Sequence, residues 1–158
     1  MTTFDTECLR RAIALSRAHM QTGAGGPFGA VIARDGRIIG EGWNQVTSTN
    51  DPTAHAEVVA IRNACRELGT FSLAGATVYT SCEPCPMCLA AIYWARAERI
   101  VYANGRNDAA AIGFDDAFLY TEIALDLEKR AVPMHRLLAE EARAVFEEWA
   151  AKPDRVPY

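Results

Sequence analysis

From residue 5 to residue 22 polar and apolar positions alternate with the period of a helix. Leu9, Ala12, Ile13, Ser16 and Met20 fall on one stripe. Gly23, Gly25 and Gly26 end that helix. Two β-rich runs then flank Asp35-Gly36, a dipeptide that supplies positive φ for a tight turn, so Pro27 to Gly42 reads as a hairpin. A polar loop follows, and the next helical pattern runs from about Pro52 to Leu68, with proline near its first turn and Gly69 as its stop. Ala76 to Thr80 is a short apolar strand, Pro84 to about Ala97 a helix, and Arg99 to Ala103 another strand. Strand, helix and strand with short joints make a parallel crossover, which is right-handed as a rule. A loop and short helix precede a last predicted strand at Val132 to Leu138 and a closing helix at Ala139 to Lys152. The pattern predicts one α/β domain over residues 1–158, a mixed sheet with helices on both faces.

Composition adds exclusions. The chain has 158 residues, 50% of them hydrophobic and 23% charged, which suits an ordinary globular domain. No apolar run approaches the ~20 residues of a membrane span, and the N-terminus lacks the features of a secretory signal. A cytoplasmic protein with no membrane partner is expected. The net charge of −4 shows no broad basic footprint, so a nucleic acid is not the expected partner. Five cysteines are an odd number for a disulfide framework. Cys8 and Cys65 sit in helical patterns and read as buried small apolar residues.

The other three cysteines stand in "TSCEPCPMC", Thr80 to Cys88. Clustered cysteines in a cytosolic chain point to metal or redox chemistry. Cys85 and Cys88, three apart at a helix start, share a face and offer two thiolates to one ion. The free N–H groups of that first turn favour the thiolate form. Of the three histidines, His55 alone has an acid close by at another helix start, Glu57. If those two helices lie side by side, His55 approaches the thiols. Four ligands, with Cys82 included, would close the sphere of a structural zinc; His55, Cys85 and Cys88 alone leave a position for water. Cys82 lies at the strand end, off the helical face of the other two, which favours three ligands. A carboxylate at Glu57 then has a use, because zinc lowers the pKa of bound water to about 7 and the acid carries its proton.

His55-Ala56-Glu57 with Pro84-Cys85-Pro86-Met87-Cys88 resembles the signature of the zinc-dependent nucleobase deaminases. With "GGPFGAVI", "NDPTAHAEV", "YTSCEPCPMCLAAIYWAR", "GFDD" and a C-terminal tyrosine, the chain is more closely similar to the bacterial guanine deaminases of the cytidine-deaminase fold. The resemblance implies a three-layer α/β/α fold with a five-stranded mixed sheet. It implies zinc on His55, Cys85 and Cys88, with Glu57 as proton shuttle, and no organic cofactor. The reaction implied is hydrolysis of guanine to xanthine and ammonia. It also implies that Asn44 contacts the purine, with Ala56 in the substrate-binding set. Asp116, with Asp115 as its competitor, would accept from purine N–H groups, and Phe28 and Trp94 would wall the ring. Finally it implies a homodimer that exchanges its C-terminal segment, residues 139–158, so that Tyr158 covers the partner's site. Rival readings are a tRNA adenosine deaminase, a deaminase of another free amino-heterocycle such as a triazine or cytosine-like base, and a non-catalytic zinc-stabilised interaction module that would use Cys82 as fourth ligand.

Overall fold

Asp35 and Gly36 both take positive φ, 53° and 73°. The tight turn they make joins β1 (Gly29–Arg34) to β2 (Arg37–Trp43) in an antiparallel hairpin with Arg34 opposite Arg37. β1 pairs on its other side with β3 (Thr77–Cys82), antiparallel, and β3 pairs with β4 (Arg99–Asn104), parallel. The computed structural model describes residues 1–157; Tyr158 lies outside the described residues.

Helices cover both faces. On one lies α1 (Thr3–Gln21), whose Cys8, Ala12 and Leu15 pack with Val31, Ala33, Tyr79 and Val101. The buried stripe differs from the predicted one: Ile13 and Met20 are exposed, and the place of an apolar residue is taken by Asp5. Hydropathy scores a carboxylate as surface, but this one closes a capping box with Thr2 and accepts a hydrogen bond from the Tyr79 hydroxyl at 2.7 Å. Arg99 donates to it as well. Cys8 is buried and Cys65 packs at the edge of the other core, both as small apolar residues.

On the opposite face lie α3 (Ala56–Leu68) and α4 (Pro86–Trp94); the preceding loop holds one short turn of helix, α2 (Val46–Thr49). Ala56, Ala60 and Ala64, four residues apart, form the stripe by which α3 sits on the sheet. The approach is close because β2 presents glycines there. A Cβ on Gly42 would come within 2.3 Å of the Ala56 carbonyl oxygen, and one on Gly40 within 2.6 Å of the Ala60 carbonyl oxygen. The start of α3 is thereby set against the hairpin. β3, α4 and β4 form the predicted parallel crossover, and α5 (Arg106–Ala111) follows β4.

The sheet of the described residues has four strands in the order β2-β1-β3-β4, not five. The strand expected at 132–138 does not form. Pro133 has no N–H to give a ladder, Leu138 takes a left-handed φ of 55°, and the Ala131 N–H donates to the Glu122 carboxylate. The Arg130 guanidinium donates to the Leu125 and Ile123 carbonyls, which further binds this segment into a local loop.

The chain divides into two compact units, Met1–Ala117 and Phe118–Tyr158. The first holds the sheet and both cores. The second comprises most of α6 (Ala117–Ala124), a 3₁₀ turn (Leu127–Lys129) and α7 (Ala139–Ala151), the predicted closing helix; none of these has a buried residue. No helix of the described residues is long and apolar enough to cross a membrane.

Candidate active site

Two helices begin with the residues that matter. His55 is the N-cap of α3 and Cys85 the N-cap of α4, both in extended backbone conformation and neither giving a side-chain cap bond. These starts lie later than the proline signals predict. Asp51 Oδ1 accepts from the Thr53 N–H at 2.8 Å, so Pro52 belongs to a turn before α3. In α4 it is Pro86, not Pro84, that takes the first helical position, where its missing N–H costs nothing.

His55 Nδ1 lies 3.6 Å from Cys85 Sγ and 3.5 Å from Cys88 Sγ. The three donor atoms all fall within 4.8 Å of one another, and among the described residues they are the one group that could hold a metal ion. One imidazole nitrogen and two sulfurs are a donor set suited to zinc. The two thiols are perturbed in opposite directions. Cys85, bonded by the Cys88 thiol and beside His55, is lowered to about 4. Cys88, next to that thiolate and buried, is pushed up. The Cys85 thiolate in turn raises His55.

Glu57 stands on the first turn of α3, 6% exposed. Burial pushes its carboxyl up from the ordinary value, and the nearby Cys85 thiolate adds to this. The Thr80 hydroxyl donates to its Oε1 at 3.2 Å. Cys82 is set apart from the cluster: its thiol, raised by burial, points to the Gly105 carbonyl oxygen at 3.7 Å.

Of the residues expected at the base, Asn44 is buried, and its Oδ1 accepts from the Gly26 and Val46 N–H groups, each at 3.2 Å. Its carbonyl end is thus engaged by the backbone, and only the amino end is left to face a ligand. The two acids of Gly113-Phe114-Asp115-Asp116 separate. Asp115 accepts from the Ala117 N–H at the start of α6, at 2.9 Å. Asp116 is half-buried, its carboxyl raised first by burial and then by the Cys85 thiolate. Phe28 meets Phe114 edge to face, ring centroids 4.9 Å apart. Ala56 is fully buried in the core between His55 and Glu57. The structure does not bring Trp94 to the cluster. It ends α4, 66% exposed, about 13 Å along the helix from Cys85 at 1.5 Å per residue. The position assigned to Tyr158 lies outside the described residues.

Three contributors escaped the sequence reading. Thr80 looks like any β-branched strand residue; only the alternation that puts it on the Val78 face could have pointed to it. Phe114 lies inside the quoted "GFDD", yet only the fold pairs it with Phe28. Glu83, between Cys82 and Pro84, accepts from the Arg106 backbone N–H and Nε, each at 3.1 Å, while its own N–H donates to the Asn104 carbonyl at 2.8 Å. This clamp ties the cysteine loop to the segment after β4, and no local spacing announces it.

Comparison with known proteins agrees with this geometry. The model of the cytidine and deoxycytidylate deaminase zinc-binding region matches residues 2–104. Guanine deaminase of Bacillus subtilis is 53% identical over 141 residues, covering 89% of this chain and 90% of that protein. The X-ray structure of guanine deaminase from Bacillus subtilis has a TM-score of 0.95 at 49% identity, covering 100% of this chain and 99% of that one. A tRNA-specific adenosine deaminase of Haemophilus influenzae is 40% identical over 119 residues, 72% of this chain and 68% of that protein. The chain therefore belongs to the cytidine and deoxycytidylate deaminase zinc-binding family and is a zinc-dependent aminohydrolase.

Proposed function

We propose that this protein hydrolyses guanine to xanthine and ammonia. The observation that carries the choice of base is the likeness to a guanine deaminase over the whole chain at a TM-score of 0.95, where a tRNA:A34 deaminase structure covers 81% of it at 0.64.

His55, Cys85 and Cys88 would hold zinc, which supplies activation of water near neutral pH. The rest is done by the chain. Glu57 takes a proton from the attacking water on its carboxylate and passes it to the ring nitrogen beside the amine-bearing carbon. The water oxygen bonds to that carbon; Glu57 then takes the second proton from this oxygen and delivers it to the amine, and the carbon–nitrogen bond breaks as ammonia leaves and the carbonyl of xanthine forms. A buried carboxylate with a raised pKa suits both halves of this task, since it takes up a proton more readily than an exposed one. Asn44 would donate through Nδ2 to an acceptor on the base. Asp116, on the side of Cys85, would accept from a purine N–H, which guanine offers along the edge where adenine offers fewer. Phe28, backed by Phe114, would wall the ring, with Ala56 beneath.

The C-terminal part belongs to the same proposal. Residues 139–158 pass to a second copy, and Tyr158 covers its site, excluding water. The exposure of Val145, Phe146 and Trp149 on α7 supports this, since a lone helix rarely leaves such residues uncovered. Removing residues 153–158 should depress turnover and leave zinc content unchanged; full activity in the shortened protein refutes the lid.

The substrate is tested by ammonia release from guanine, adenine, cytosine, guanosine and triazines. Guanine should be turned over fastest. A protein that leaves guanine untouched while deaminating another of these compounds refutes the assignment.

A further inference from the structure

Thr80 belongs to an inner strand, with Ala30 opposite on one side and Tyr102 on the other. It is 1% exposed. Its side chain points to the same face as Val78, the face covered by α3 and α4. Most side chains on that face are apolar core. This one carries a hydroxyl, and the hydroxyl's one proton goes to Glu57 Oε1. Burial removes water as a competing acceptor.

We propose that Thr80 is a positioning residue for Glu57: its hydroxyl anchors one carboxylate oxygen to the sheet so that the other is held for proton transfer. The proposal rests on the reading of Glu57 as the proton carrier. Glu57 reaches the site through three rotatable bonds from the first turn of a helix. A long side chain on a helix start does not by itself hold one orientation. Thr80 supplies a fixed point because a β-branched residue in a paired strand is stiff at χ1 and its backbone is held from both sides. A carboxylate held at one oxygen has its plane restricted, so the second oxygen meets water and amine without a search, which is where enzymes gain from orientation. Serine could make the same bond; valine has the shape without the donor.

The experiment compares Thr80→Val and Thr80→Ser with the wild type, all zinc-loaded, on guanine. The wild-type rate reports on the proposed reaction, and the ratios between variants report on Thr80. Thr80→Val should lower kcat by about 10–100-fold, the usual effect of removing an outer partner of a catalytic group. KM should stay within about twofold and zinc should remain bound, as expected when an interaction serves the transition state alone. Thr80→Ser should recover most of kcat. A readout without substrate is the side-chain carboxyl carbon resonance of Glu57, assigned by its loss in Glu57→Gln. It should move in Thr80→Val and stay in place in Thr80→Ser. A Thr80→Val enzyme with wild-type kcat, an equal loss in both variants, or an unmoved resonance overturns the proposal.

Discussion

Strand β3 separates two buried carboxylates with opposite surroundings. On its α1 face Asp5 receives Tyr79, the Arg99 guanidinium and the Thr2 N–H. These donors hold its carboxyl well below the usual range. On the α3 face Glu57 receives a hydroxyl from Thr80 and lies among thiols, and burial pushes its carboxyl up. A carboxylate surrounded by donors holds its charge; one with few donors in a dry place takes up a proton more readily. The same residue chemistry thus serves as a strut on one side of a strand and, in the proposed reaction, as a proton carrier on the other.

Glu57→Gln tests this contrast with the largest effect. The amide keeps the shape and cannot carry the proton, so turnover should fall by at least the ~10²–10⁴-fold ascribed to general acid–base transfer. Metal analysis and circular dichroism should show zinc and fold retained, and a loss of zinc would assign Glu57 to the wrong task. On the other face, Tyr79→Phe removes a buried bond to a charged group. Urea unfolding should record a loss of about 1.5–3 kcal/mol, while kcat at room temperature stays unchanged.

Acidity and alkalinity sharpen the same contrast. Asp5 has a depressed folded-state pKa, so its stabilisation is present above the unfolded-chain value of about 4 and fades as the pH falls below it. Tyr79 is raised to about 12, chiefly by burial and by its bond to Asp5, so its share is present below the unfolded-chain value and lost as the pH rises through 12. The stability gap between the wild type and Tyr79→Phe should accordingly be flat between about pH 5 and 9 and close at both extremes; a gap that widens in acid contradicts the network. The smallest effect belongs to Cys82→Ser. This thiol faces the Gly105 carbonyl, so zinc content should not change. Loss of zinc would return the four-ligand, non-catalytic reading.

The distinction between the two acids was only half legible in the sequence. Glu57 came with His55 two residues before it and a cysteine motif downstream, a local pattern with chemical meaning. Asp5 lies off the predicted apolar stripe and no local pattern marks it as buried, because its long-range partners are 74 and 94 residues away. The hairpin at Asp35-Gly36 and the β3–α4–β4 crossover were legible because turn chemistry and period are local. The helix starts were misplaced by a few residues, since Pro52 lies in a turn and Pro84 in irregular backbone before the helices they announce. The supposed strand at 132–138 has strand-like residues, yet Pro133 interrupts any ladder and the segment before it is held to Glu122 through the Ala131 N–H. Asp115 and Asp116 are adjacent and identical in type; only the N–H of Ala117, which takes one of them, distinguishes their positions.

The seam between Gly40, Gly42 and the alanine stripe of α3 has a bearing on how such a chain tolerates change. There is no slack behind the helix that carries His55 and Glu57. One added methyl at Gly42 has to displace the Ala56 carbonyl, and with it the base of both residues. Drift in sequence would therefore reach the chemistry through the back wall before it reached the pocket, and replacements far from any reacting atom on β2 would register as lesions of catalysis.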